Sequence, residues 1–186
     1  MLLDATRIAR IHGCVGPLFF VASVVAAAIT SKWWMTETRS PASSVSVSFA
    51  RLAWMTAGIA YVQLILGAHL RHVPATWSPP VFRGVVLAHL VTAAVLTLHV
   101  LALLWCAIRR PQIRERSLLF WPTGAIAFLL FLQLLVGAAT WRLKYQWPVS
   151  LPQPDWMARF TSTAESMLTT VVVTAHVALG SLILAP

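Results

Sequence analysis

The sequence predicts an all-α fold, a polytopic transmembrane helical bundle of about five membrane-spanning helices with an internal helix-pair repeat. Three observations predict it. The 186 residues are 59% hydrophobic and only 10% charged, with a mean hydropathy of +0.78, more apolar surface than a soluble domain of this length can bury. Five stretches, near 11–31, 52–71, 84–108, 118–141 and 166–185, suit a hydrocarbon core that takes about 20 helical residues to cross. Finally, Ala60-Tyr-Val-Gln63-Leu-Ile-Leu-Gly67-Ala-His-Leu-Arg71 is answered by Leu130-Phe-Leu-Gln133-Leu-Leu-Val-Gly137-Ala-Ala-Thr-Trp-Arg142. Each copy is followed by an apolar segment with a histidine after an alanine, Ala88-His89 and Ala175-His176. Two equivalent helix pairs, each carrying a histidine into the membrane, suit the clamping of a flat metal cofactor between two halves.

Each element follows from its residues. Asp4, Arg7 and Arg10 precede a first helix too long for a signal-peptide core, and no small-residue cleavage site follows. Pro17 lies inside it and is expected to bend it just past His12. The second segment closes on Arg71 and the fourth on Arg142, where arginine reaches the interface. Pro41, Pro74, Pro79, Pro80, Pro111, Pro148, Pro152 and Pro154 punctuate the connections. The longest connection, 142–165, is expected to form a packed cap, because Trp147 and Trp156 bracket three prolines within it. Trp33, Trp34, Trp54, Trp77, Trp105, Trp121, Trp141, Trp147 and Trp156 all fall in or near interfaces, where an amphipathic indole prefers to sit. The whole of 1–186 reads as one transmembrane domain, with no soluble domain and no low-complexity tail. Both ends look cut: the lead before the first helix is very short, and the last apolar run has no polar flank.

A net charge of +9 does not point to nucleic acid here, because arginines flanking apolar helices anchor at headgroups and set topology in the lipid bilayer. The densest cluster, Arg109, Arg110, Arg114 and Arg116, places its loop in the cytoplasm together with 32–51. The N-terminus, 72–83 and 142–165 then face outside. The fourteen Lys and Arg divide equally between the two sides, so this orientation rests on the density of one loop. Cys14 and Cys106 lie near opposite ends of the membrane and show neither disulfide nor zinc spacing.

The six histidines separate by depth and by what lies one turn on. His12, His69, His72, His89 and His176 share the outer half of the membrane, and His99 lies deeper. A porphyrin held by a histidine lies flat on the helix and needs a small residue at i+4. His12 is followed there by Gly16, His89 by Ala93 and His176 by Gly180, whereas His99 meets Leu103 and His69 meets Val73. His89, His176 and His12 are therefore the candidate metal ligands, and Gly16, Ala93 and Gly180 the candidate cofactor contacts. Small residues at this spacing also serve plain helix packing. His99 reads as a satisfied core histidine, and His69 and His72 as interfacial. Gln63, Gly67 and Arg71 form a stripe at four-residue intervals. It is either a packing seam or a surface on which Gly67 admits a partner and Arg71 pairs with an anion such as a propionate. In the second copy the arginine slips by one, leaving Arg142 or Lys144 for that part.

At these residues the chain resembles the haem A synthase family, the multi-span proteins of cytochrome oxidase assembly. The matching pieces are Ile11-His12-Gly13-Cys14, Gln63-x3-Gly67-x3-Arg71, Ala88-His89-Leu90, Gln133-x3-Gly137 and Thr174-Ala175-His176-Val177-Ala178-Leu179-Gly180. They span most of the sequence. The resemblance implies eight helices in two pseudo-symmetric halves, with two histidines in each half. One pair binds a haem b, and the other serves the haem O whose ring methyl is oxidised to the formyl of haem A. The present chain looks like helices four to eight of that plan, with His12 the catalytic-site histidine of the front half and His89 and His176 the iron-binding pair of the back half. The family's Glu-x3-His helix and its extracellular cysteine pair are absent, so the resemblance implies a partial chain with helices upstream.

The expected function is that of a haem-binding membrane oxidoreductase, with haem b as cofactor, haem O as substrate, and an electron donor and a haem O-producing enzyme as partners. A bacterial cell membrane is expected in preference to the mitochondrial inner membrane. The rival expectations are a non-catalytic b-type cytochrome and a scaffolding protein with structural histidines.

Overall fold

The computed structural model describes residues 5–39, 47–145 and 166–185, together with Met157 and Phe160. Seven helices occupy them: α1 (Ala5–Ile29), α2 (Lys32–Arg39), α3 (Val47–Arg71), α4 (Pro79–Arg109), α5 (Pro111–Arg114), α6 (Ser117–Tyr145) and α7 (Met167–Ile183). Four of them, α1, α3, α4 and α6, are long and apolar enough to cross a membrane, and α7 is a shorter apolar helix of 17 residues. The chain is thus an all-α helical bundle with the build of an integral membrane protein.

Several helices outrun their sequence expectations. Pro79 and Pro80 open α4 instead of preceding it, because a proline fits the first turn, where its missing N–H has no partner to lose. Pro111 opens the short α5 for the same reason. Lys32–Arg39, expected as loop, is helical, and Trp33 on it donates Nε1–H to Ser117 Oγ at 2.9 Å, tying α2 to the start of α6. The first helix runs unbroken through Pro17. Ser166 caps α7 by accepting from the Thr169 amide.

The helices α3, α4, α6 and α7 form a closed four-helix bundle in that order, and α1 lies outside it against α3 and α7. Its inward seam follows a heptad. On α4 the seam is Phe82, Val86, His89, Ala93, Leu96, Val100, Leu103 and Ala107, alternating steps of four and three. On α3 it is Phe49, Ala53, Thr56, Ala60, Gln63, Gly67 and Leu70, and on α6 Thr123, Ile126, Leu130, Gln133, Gly137 and Thr140. This period is that of left-handed helix packing at about 20° crossings.

The seam stacks in layers. At the end bearing Arg109–Arg116, Phe49, Leu103, Ala107 and Ile113 pack together. A middle layer holds Ala60, Leu96, Val100, Leu130 and Ile183. At the far end Phe82, Val86, Tyr145 and Met157 form an aromatic cap with Trp77, Trp141 and Phe160. Phe160 meets Phe82 edge-on at 4.2 Å, so the described part of the 142–165 connection is packed. Trp147, Trp156, Pro148, Pro152 and Pro154 lie outside the described residues. Between the middle layer and the cap falls a polar layer made of Gln63, Gly67, His89, Gln133, Gly137 and His176.

Candidate histidine site between the two hairpins

The polar layer is built twice. In the first hairpin α3 presents Gln63 and, one turn on, Gly67, and α4 lays His89 against them. A methyl on Gly67 would stand 3.5 Å from His89 Cε1, and the Gln63 amide Nε2 is 3.2 Å from His89 Nε2. In the second hairpin α6 presents Gln133 and Gly137, and α7 lays His176 against them. A methyl on Gly137 would stand only 2.9 Å from His176 Cε1. The glycines are there because the imidazole takes the space of a side chain.

What sets these two histidines apart is where their ring nitrogens go. His69 donates Nδ1–H to the Ile65 carbonyl at 2.8 Å, and His99 donates Nδ1–H to Val95 at 2.9 Å, each satisfied by its own helix. His69 also stacks on Trp77. By contrast Nδ1 of His89 and Nδ1 of His176 are both buried without a hydrogen bond, as are Oε1 of Gln63 and Oε1 of Gln133. Such unmet groups cluster at functional sites because burial without a partner costs about 1–3 kcal/mol each. Here four of them fall in one layer.

The other candidates are placed elsewhere. His12 is exposed on α1, while its neighbour Gly13 faces Ala68 of α3, where a methyl would meet the Ala68 Cβ at 3.4 Å. Gly16, one turn beyond His12, has open space around it. Arg71 is exposed at the end of α3 and does not continue the Gln63–Gly67 line, because a heptad seam passes to Leu70. Ala93 and Gly180 hold the seam position one turn beyond His89 and His176. Lys144, at the end of α6, donates to the Leu70 carbonyl at 2.8 Å and so ties the second hairpin to the end of α3. Gln63 and Gln133 were visible in the sequence as part of the repeat, but nothing in their spacing marked them as the histidines' neighbours. Only the heptad shows that.

The donor set constrains what could be held. Among the described residues no three His, Cys, Asp or Glu come together. A bare zinc ion takes about four protein ligands. A macrocycle that brings its own four nitrogens asks the protein for only one or two axial ligands. Two neutral imidazoles in an apolar bundle fit the second requirement.

No protein-family model matches the chain, and neither does any curated protein or solved structure.

Proposed function

We propose that the chain is a haem-binding membrane oxidoreductase of the haem A synthase type. One observation carries the reading: two imidazoles hold the same seam position in two like hairpins, each seated on the glycine of the preceding helix, with Nδ1 not spent on its own helix as it is in His69 and His99. His89 and His176 would hold a haem b. Bound there, the haem supplies one-electron chemistry at its iron.

The chain's own residues do the rest. Gly67 and Gly137 let the imidazoles lie close to the neighbouring helix, fixing their rotation. The apolar layer lies below the rings and the aromatic cap above them, and the neutral imidazole is the form that ligates. Arg71, exposed at the cap end, would meet a propionate at the surface. His12 would stand beside haem O, whose ring methyl would become a formyl at the expense of an external oxidant of the dioxygen class, with an electron donor and a haem O-producing enzyme as partners. A bacterial cell membrane is the proposed location.

A second reading is a b-type cytochrome that only passes electrons. It is favoured by the exposed position of His12, apart from the pair. The test is a reduced-minus-oxidised spectrum of the purified protein, followed by incubation with haem O and extraction of the pigment. A low-spin haem spectrum with an oxygenated ring substituent supports the first reading. The same spectrum with unaltered haem supports the second, and no haem at all overturns both.

A further inference from the structure

We propose that Gln63 is a positioning residue that caps the ligating nitrogen of His89, whereas Gly180 draws Gln133 away from His176, so that the two histidines are unequally ready for a metal. This rests on the reading of the pair as iron ligands. The carrying observation is the 3.2 Å approach of the Gln63 amide nitrogen to Nε2 of His89. An amide NH2 can only donate, so Nε2 of His89 accepts and the ring proton sits on Nδ1. That tautomer is the one that ligates through Nε2. The Gln63 amide therefore occupies the lone pair that an iron would take.

The second hairpin has the same glutamine but parks it elsewhere. Nε2 of Gln133 lies 3.2 Å, and its Cδ 3.9 Å, from where a methyl on Gly180 would be. The amide rests in the notch that this glycine leaves one turn beyond His176. In α4 the matching position is Ala93, which carries the methyl that Gly180 lacks. With that space closed, the Gln63 amide stays on His89. One methyl group thus decides which histidine is capped. Uncapping His89 requires only a side-chain rotation of Gln63, at the cost of one neutral hydrogen bond.

The test uses the haem-free, full-length protein in detergent, with 15N-labelled histidine read by NMR, and then follows haemin uptake by absorbance. The variants are Gln63→Leu, Ala93→Gly and Gly180→Ala. In the unaltered protein the Nε2 signals of His89 and His176 should differ, with only the His89 nitrogen shifted by an accepted hydrogen bond. Gln63→Leu and Ala93→Gly should each remove that shift, and Gly180→Ala should give it to His176. Haemin uptake should quicken in the first two and slow in the third by roughly threefold to tenfold, the factor that one neutral hydrogen bond carries. Ala93→Gly keeps every polar group, so it decides the matter if Gln63→Leu does not fold. Equal Nε2 signals in the unaltered protein, or a His89 signal indifferent to Ala93→Gly, overturns the proposal. If no variant takes up haemin, the functional reading falls, and the nitrogen signals alone still decide the cap.

Discussion

The two hairpins carry the same glutamine, glycine and histidine at the seam and close on them differently. In α3–α4 the histidine rests lightly on its glycine, and the glutamine is hydrogen-bonded to the ring. In α6–α7 the ring takes the space that a side chain on its glycine would need, and the glutamine lies on a second glycine instead. The two seams differ one turn beyond the histidine, Ala93 against Gly180, the position proposed above to set where each glutamine rests. Repetition of sequence therefore supplies two matching histidine positions without making them equal.

The sharpest way to break this comparison is to add the same methyl to both glycines. Gly137→Ala places a Cβ 2.9 Å from the His176 ring, so the ring or α7 must move, an overpacking cost of about 1–3 kcal/mol. Gly67→Ala meets His89 at 3.5 Å, an ordinary contact, and removing a helical glycine is worth about 0.5–1 kcal/mol in its favour. Thermal unfolding in detergent should show Gly137→Ala destabilised and Gly67→Ala unchanged or stabilised. Equal losses would mean that the hairpins are packed alike.

A smaller effect is expected at the tie between the hairpins. Lys144 donates to the Leu70 carbonyl, whereas the matching position in the first copy is Pro74, which has no donor to return. Lys144→Met should cost about 1 kcal/mol in the same unfolding measurement, the usual worth of one hydrogen bond. No loss would show the tie to be incidental.

The smallest effect is a pH dependence confined to one copy. His72 follows α3 where Arg142 stands in the second hairpin. Burial pushes the His72 pKa below its ordinary 6.5, and Arg71, Lys144 and Arg10 push it the same way. The folded state then resists a proton that the unfolded chain accepts. Stability is full above pH 6.5 and declines as the pH falls from there through the lower folded pKa. His72→Gln should flatten that decline in unfolding curves recorded across the range, and an unchanged slope would assign the acid sensitivity to other groups.

Much of this was legible in the sequence. The helices and the repeat follow from apolar length and from the matched Gln-x3-Gly and Ala-His pieces, and the repeat sets His89 and His176 at matching positions. The inward faces did not follow, for a physical reason. In a membrane helix the lipid-facing side is as apolar as the core, so apolar periodicity carries no direction. Leu98, Phe128 and Trp105 are exposed here, while Thr56 and Thr123 are buried, each donating its hydroxyl to its own helix at Leu52 and Leu119. The seam is marked by small and polar residues instead, and reading it needs the heptad. The four-residue stripe ending on Arg71 followed the wrong period. The exposure of His12 was equally invisible, because its Gly16 neighbour resembles those of the paired histidines and only the packing of α1 separates them.

His89 and His176 are proposed to act as one pair, apart from the other histidines. The direct measurement is the visible spectrum of the haem-reconstituted protein in a histidine-to-alanine series. His89→Ala and His176→Ala should each abolish the low-spin signal, because losing one axial ligand leaves a five-coordinate or empty site. His99→Ala, whose ring is satisfied by Val95 of its own helix, should leave the signal intact. Loss of the haem in His99→Ala with its retention in His176→Ala would contradict the account.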